Sequence, residues 1–196
     1  MSLMIQRLFI SAGLLLLASC TSAPPAPEWS GPAPEQLVAE IRAAGAFEKG
    51  ELDVQPLRDP MVEDLRVQAV QFESARRYPD AAAALDKALG IAPQDPALLQ
   101  ERAEVAVLQK NLDKAASLAR DAYALGGKVG PLCRRHWATI RQQLAYRQRG
   151  LQLRATGKLK GETLAQWERE STELATLLAD AERKQSDCTF TGPPRY

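Results

Sequence analysis

The chain has 196 residues, with 25 Lys plus Arg against 24 Asp plus Glu, a formal net charge of +1 and a pI near 7.7. That balance excludes a protein built globally to bind nucleic acid and excludes a disordered polyelectrolyte, so any electrostatic function must be local. The length fits one domain, or one domain and a tail, at about 150 residues per domain, and is enough to bury a core.

Arg7 lies in a short n-region and 8–17 is an apolar run too short for a comfortable membrane span, so 1–19 reads as a targeting segment that is removed. The residues that close it, Leu17, Ala18, Ser19 and Cys20, resemble the lipobox of bacterial lipoproteins. The resemblance implies cleavage before Cys20, acylation of Cys20, and a mature chain that begins there. Thr21, where an Asp would signal inner-membrane retention, implies the outer membrane, with the folded part facing the periplasm. Two or three acyl chains exceed what stable anchoring needs at about 0.8 kcal/mol per buried methylene. An ordinary secretory signal followed by an incidental cysteine is the alternative. Segment 21–34 holds five prolines in fourteen residues; with Cys20 it forms an expected semi-rigid spacer, 20–34. Trp29 is its one aromatic and is expected to pack loosely on the domain or on lipid headgroups.

Residues 35–46 carry Leu37, Ile41 and Ala44 at helical spacing, which predicts a short amphipathic helix. Residues 51–60 contain two prolines and no sustained period, so 35–61 is expected to be a helix and a connector. Segments 62–76 and 79–89 then predict one helix pair, and 96–109 and 112–125 a second, which opens on Asp95-Pro96, a cap followed by proline in the first turn. A single shift of the chain lays Leu65 on Leu99, Ala69 on Ala103, Ala81 on Ala115 and Ala88 on Ala122.

On these residues 62–129 resembles two tetratricopeptide repeats (TPRs), a helix–turn–helix unit of about 34 residues whose length equals that shift. Counting from Val62, the large apolar positions of the family fall on Leu65, Phe72, Tyr78 and Leu85, the small ones on Ala69, Ala81 and Ala88, and the proline on Pro93. The second copy has Leu99, Ala103, Ala106, Leu112, Ala115, Ala119 and Ala122, with Gly127 in place of the proline and alanine at two large positions. Alanine at the small positions lets two antiparallel helices approach at the short end of the usual range of about 8–10 Å. An alanine-rich bundle with coincidental spacing is the competing reading. A further shift in either direction puts Phe47 and Arg149 where an alanine is wanted, so two repeats are expected. Stacked repeats need three or more units, or caps. Cys133, Trp137, Ile140, Leu144 and Leu151 share one helical face, and Leu164, Trp167, Leu174, Leu178 and Ala181 another. With a turn at 156–162 they predict a capping hairpin over 130–188, followed by a tail, 189–196. The expected fold is therefore all-α, built of antiparallel helical hairpins.

Cys133 opens the first helix of that hairpin and Cys188 lies just past the second, and the midpoint between them falls in the predicted turn. An antiparallel hairpin brings them to one end, and in an oxidising periplasm they are candidates for a disulfide, two separate thiols being the alternative. One histidine and two spare cysteines cannot close a four-ligand zinc site, so no metal is expected. His136 adjoins Trp137 and has no nucleophile-and-base pattern near it, while Gly126-Gly127 ends a helix and does not cradle a phosphate. No catalytic residue, no enzyme activity and no cofactor are expected.

Between 122 and 161 stand nine basic residues and no acid, including Arg134, Arg135, Arg141, Arg147, Arg149 and Arg154. From 162 to 188 seven acids face three bases. Either the two helices pair these charges across the hairpin, or the basic surface meets an anionic glycan or lipid. The TPR resemblance implies a partner-binding groove lined by the first helix of each repeat: Glu63, Arg66, Val70, Glu73 and Ser74, then Ala97, Gln100, Glu104, Val107 and Leu108. It lacks the Asn, Lys and Arg set that clamps a C-terminal carboxylate in some TPR domains, and a mixed groove suits a peptide or helix of a protein partner. The reading that results is a lipid-anchored, non-catalytic interaction module of the bacterial envelope. It docks protein partners through the groove and touches membrane through Cys20, with no nucleic acid involved.

Overall fold

The computed structural model describes residues 29–48, 51, 57–155 and 159–189. The expected signal peptide 1–19, Cys20 and most of the spacer 20–34 lie outside the described residues, as do Lys158 and nearly all of the tail. Among the described residues the regular elements are all helices: α1 (Pro34–Ala44), α2 (Pro60–Ser74), α3 (Tyr78–Ile91), α4 (Pro96–Leu108), α5 (Leu112–Leu125), α6 (Pro131–Ala155) and α7 (Glu162–Asp187). From α2 onward each helix packs on the next, giving three successive hairpins, whereas α1 packs on α4 and α6.

Helix starts follow from short polar caps. Asp59 accepts a bond from the Met61 N–H, and Asp95 from those of Ala97 and Leu98, each ahead of a proline that has no N–H to leave unpaired. The connector thus ends at Asp59, and α2 begins two residues before the expected Val62, because Asp59-Pro60 is the same signal as Asp95-Pro96. Asn111 caps α5 through the Lys114 N–H.

The turns inside the first two hairpins are copies of each other, one repeat apart. Arg76 and Lys110 both adopt positive φ, 56° and 61°. Arg76 N–H bonds Glu73 O and Arg77 N–H bonds Phe72 O; Lys110 N–H bonds Val107 O and Asn111 N–H bonds Ala106 O, all at 2.8–2.9 Å. This is a Schellman closure, in which glycine is the usual left-handed residue. A side chain there costs roughly 1–2 kcal/mol, offset in part by the greater freedom glycine has when unfolded. Lys110→Gly is therefore expected to raise the unfolding free energy by about 0.5–1 kcal/mol, measurable by urea denaturation.

Ala69, Ala81, Ala88, Ala103, Ala115 and Ala122 are all buried, and the alanine-lined contacts hold α2 against α3 and α4 against α5. Three apolar clusters result. One ties α2 and α3 to Leu98 and Val105 of α4, and another ties α4 and α5 to the final hairpin through Trp137, Ile140, Leu144 and Leu174. The third lies under α1. No turn interrupts α6, so the last hairpin is far longer than the first two. At its base Cys133 and Cys188 are disulfide-bonded with Cα atoms 5.6 Å apart, and the Gly130 N–H bonds the Cys188 carbonyl at 2.6 Å. Leu164, expected on the inner face of α7, is instead 39% exposed, because it sits at the hairpin tip.

Candidate functional site

The sequence places a partner groove on α2 and α4; in the structure α6 adds a further wall, and α1 lies between α4 and α6 on that face. Leu37, Val38 and Ile41 are buried against Ala106, Val107 and Leu108 of α4, Leu112 and Ala115 of α5 and Ala138 of α6. Ile41 is 0% exposed, which at about 1.5–3 kcal/mol for a fully buried aliphatic side chain makes it a principal anchor. Polar contacts seat both flanks: Tyr78 donates to Glu35 and Gln142 to Glu40, at 2.8 and 2.7 Å. At the entrance Trp29 stacks on Tyr146 with ring centroids 4.8 Å apart. Its packing is specific, not loose, and its indole N–H donates to Pro32 O.

Arg42 is the residue that joins α1 to the groove wall. Two of its nitrogens bond Glu73 of α2 at 2.8 and 2.9 Å, and its Nε bonds Glu104 of α4 at 2.8 Å. The Glu104 side chain is 0% exposed. It also accepts from Arg135 Nε and Nη2, at 2.9 and 2.5 Å, and from Gln100 at 3.0 Å. Two guanidinium groups thus compensate one buried carboxylate, the condition under which such a charge is tolerated. Gly45, just past α1, makes room for this: a Cβ there would meet Arg135 Cδ at 2.5 Å.

Gln100 extends the network, accepting from His136 Nδ1 at 2.8 Å and donating to Thr139 at 2.9 Å. Burial holds the His136 pKa down to about 3, with the charges of Arg135 and Lys128 acting in the same direction. His136 therefore stays neutral in the fold where an unfolded chain, with its ordinary value near 6.5, takes up a proton. Between about pH 6.5 and 3 the unfolded state binds more protons, so stability falls as pH falls, by up to about 1.4 kcal/mol per unit. Since His136 is the one histidine, denaturation at pH 7 and pH 5 should show this loss in the natural chain and a flatter profile in His136→Asn.

The expected groove residues divide accordingly. Gln100, Glu104, Val107 and Leu108 are buried, which corrects the expectation that Gln100 and Glu104 lie open on the groove surface: Arg42 and Arg135 cover Glu104, and His136 and Thr139 of α6 cover Gln100. Glu63, Arg66, Glu73 and Val70 stay at the lip, where Arg66 bonds Glu101 of α4 at 2.8 Å and Glu63 at 2.7 Å. Ser74 turns its hydroxyl back to the Val70 carbonyl and Ala97 is half-buried. Beyond the end of α1 the groove remains open as a cleft of about 390 Å³, lined among others by Arg66, Val70, Glu73, Leu85, Glu101 and Val105. Val70 is 61% exposed there.

The basic set also divides. Arg134, expected on the surface, is 4% exposed. It bonds both oxygens of Glu51 at 2.6 and 2.7 Å and the carbonyls of Ala44 and Ala46, so it closes the C-terminal end of α1. Its guanidinium holds the Glu51 carboxyl down to about 2. Arg135 belongs to the Glu104 network. Arg154 makes the expected cross-hairpin pair, with Glu170 at 3.1 Å. Arg147 is exposed, while Arg141 and Arg149 are half-buried. A continuous basic face is therefore broken at its first two arginines.

Nothing in the sequence singled out Arg42 or Arg134 as groove residues, because their partners lie 31 to 90 positions away. The one local hint is an arginine directly after Ile41 on the apolar stripe of α1. Among the described residues no group of His, Cys, Asp and Glu is arranged to hold a metal ion, and no helix is long and apolar enough to cross a membrane. No family model, no curated protein and no solved structure matches the chain.

Proposed function

We propose that this chain is a lipid-anchored, non-catalytic adaptor of TPR-like hairpins that docks a protein partner in the bacterial cell envelope, on the periplasmic side of the outer membrane. The observation that carries the reading is the open cleft beside α1. It has an apolar floor, with Val70 uncovered, between arginine–glutamate pairs already arranged for exchange with a partner's charges. Such a surface, apolar at the centre and polar at the rim, is what a peptide or helix of a partner recognises. Anchoring is supported by the Leu17-Ala18-Ser19-Cys20 sequence. Between Cys20 and Trp29 the chain can span on the order of 30 Å, which would keep the groove near the bilayer.

A photo-crosslinking residue at Val70 of the full chain, produced in its own cells, tests this. It should give a discrete protein adduct, a probe at the exposed Thr176 of α7 should not, and Arg66→Glu should reduce the adduct several-fold. Absence of an adduct from Val70, with adducts from Arg147 instead, would turn the reading toward the basic hairpin.

A further inference from the structure

We propose that α1 is the groove's resident stand-in for the partner: the partner is an amphipathic helix carrying the pattern of α1, and it docks by displacing α1. In that pattern two adjacent apolar residues stand where Leu37 and Val38 do, a third where Ile41 does, and an arginine follows directly. This rests on the adaptor reading and names the class of partner the groove takes.

Four observations carry it. First, α1 follows none of the hairpin pairing that organises α2 to α7. It crosses to α4 and α6 and lies between hairpins that are themselves closed without it. Second, its contacts are those of a bound helix: one buried stripe, with Gln36, Ala39, Glu40 and Ala43 on the exposed side. Third, the groove is selective, because the fully buried Glu104 offers its second oxygen to a guanidinium from α1, beside the one Arg135 already supplies, and Glu73 presents two oxygens to that same guanidinium. An arginine supplies this geometry and a lysine does not. Fourth, Arg42 remains 45% exposed while holding both carboxylates, so an incoming helix has access to the pair that locks α1. A free helix of eleven residues is marginal in water, so α1 would lose its helix on release and the exchange couples binding to local unfolding.

The tethered α1 competes at an effective concentration in the roughly millimolar range, so a free peptide must be tested against a chain whose own α1 is weakened. The probe is a fluorescent peptide of residues 29–46, titrated against the full chain. Binding to the unaltered chain should be weak. In the full chain carrying Ile41→Ala and Arg42→Ala the affinity should rise at least tenfold, and a peptide with its own Arg42→Glu should lose that gain. A double variant that keeps its helical circular dichroism and binds no tighter than the unaltered chain overturns the proposal, as does equal binding of the Arg42→Glu peptide. If the double variant does not fold, hydrogen exchange on the unaltered chain decides: excess peptide should accelerate exchange across 34–44 and leave 103–108 protected, and unchanged exchange overturns the proposal. Failure here with the Val70 adduct intact removes displacement of α1 and leaves the adaptor reading. Loss of the adduct with peptide exchange intact removes the adaptor reading, and with it the partner named here, although α1 exchanges.

Discussion

Glu104→Ala is expected to lower the unfolding free energy by about 3 kcal/mol, and to loosen α1 before any other helix. The carboxylate accepts four bonds, three of them from guanidinium nitrogens. Removing one member of a buried ion pair costs roughly 3–5 kcal/mol, because the partner charge is left uncompensated. Two features hold the effect to the lower end: Arg42 keeps Glu73, and the Arg135 side chain, 25% exposed, can turn to water. Gln100 cannot do so, since it is buried and would lose one of its acceptors. Urea denaturation gives the total. A double-mutant cycle with Arg42→Ala should show a coupling above about 1 kcal/mol, as expected for residues in one network. Additive single and double variants would mean that the pair contributes no net attraction. Glu104→Gln, which keeps the shape and part of the bonding, is expected to cost less than Glu104→Ala.

That the hairpins were legible in the sequence while the groove was not follows from the range of the interactions involved. Caps, turns and alanine spacing are local: Asp95-Pro96 and the small residues at Ala81 and Ala88 act within one or two helices, and their recurrence from one hairpin to the next doubles the signal. Even the Cys133–Cys188 bridge was open to inference, because an antiparallel hairpin converts sequence symmetry into proximity. The groove depends on something else. Whether Glu104 faces solvent or lies under a guanidinium is decided by where α1 docks, and α1 is joined to α4 by no periodicity. Arg134 and Arg135 show the same limit from the other side. In sequence they belong to a basic run that invites pairing across the hairpin. In the fold their position in the first turns of α6 directs them to Glu51 and Glu104, while Arg154, near the tip, finds Glu170 on α7. Composition describes a run of charge, and the neighbouring elements decide which of its members remain available.

Cys133→Ala combined with Cys188→Ala is expected to cost about 4 kcal/mol of stability. The bridge joins residues 55 apart, and closing a loop of that length restricts the unfolded chain by about this amount in the entropic account. The loss should not be uniform. The helix α7 packs chiefly on α6, and its C-terminal end is held by the bridge and by the bond from Gly130 to the Cys188 carbonyl. Hydrogen exchange should therefore rise first across 178–188 and leave α2 and α3 unchanged. The consequence for the groove depends on α6, which supports α7 through Cys133 and Trp137 and supports α1 through Arg134, Ala138 and Gln142. If α6 transmits the loosening, exchange across 34–44 rises as well, and the bridge stabilises the docked position of α1. Protection of α1 that is unchanged in the double variant would show that the two faces of α6 respond independently. A stability change under about 1 kcal/mol would show that burial along the hairpin holds α7 in place without the bridge.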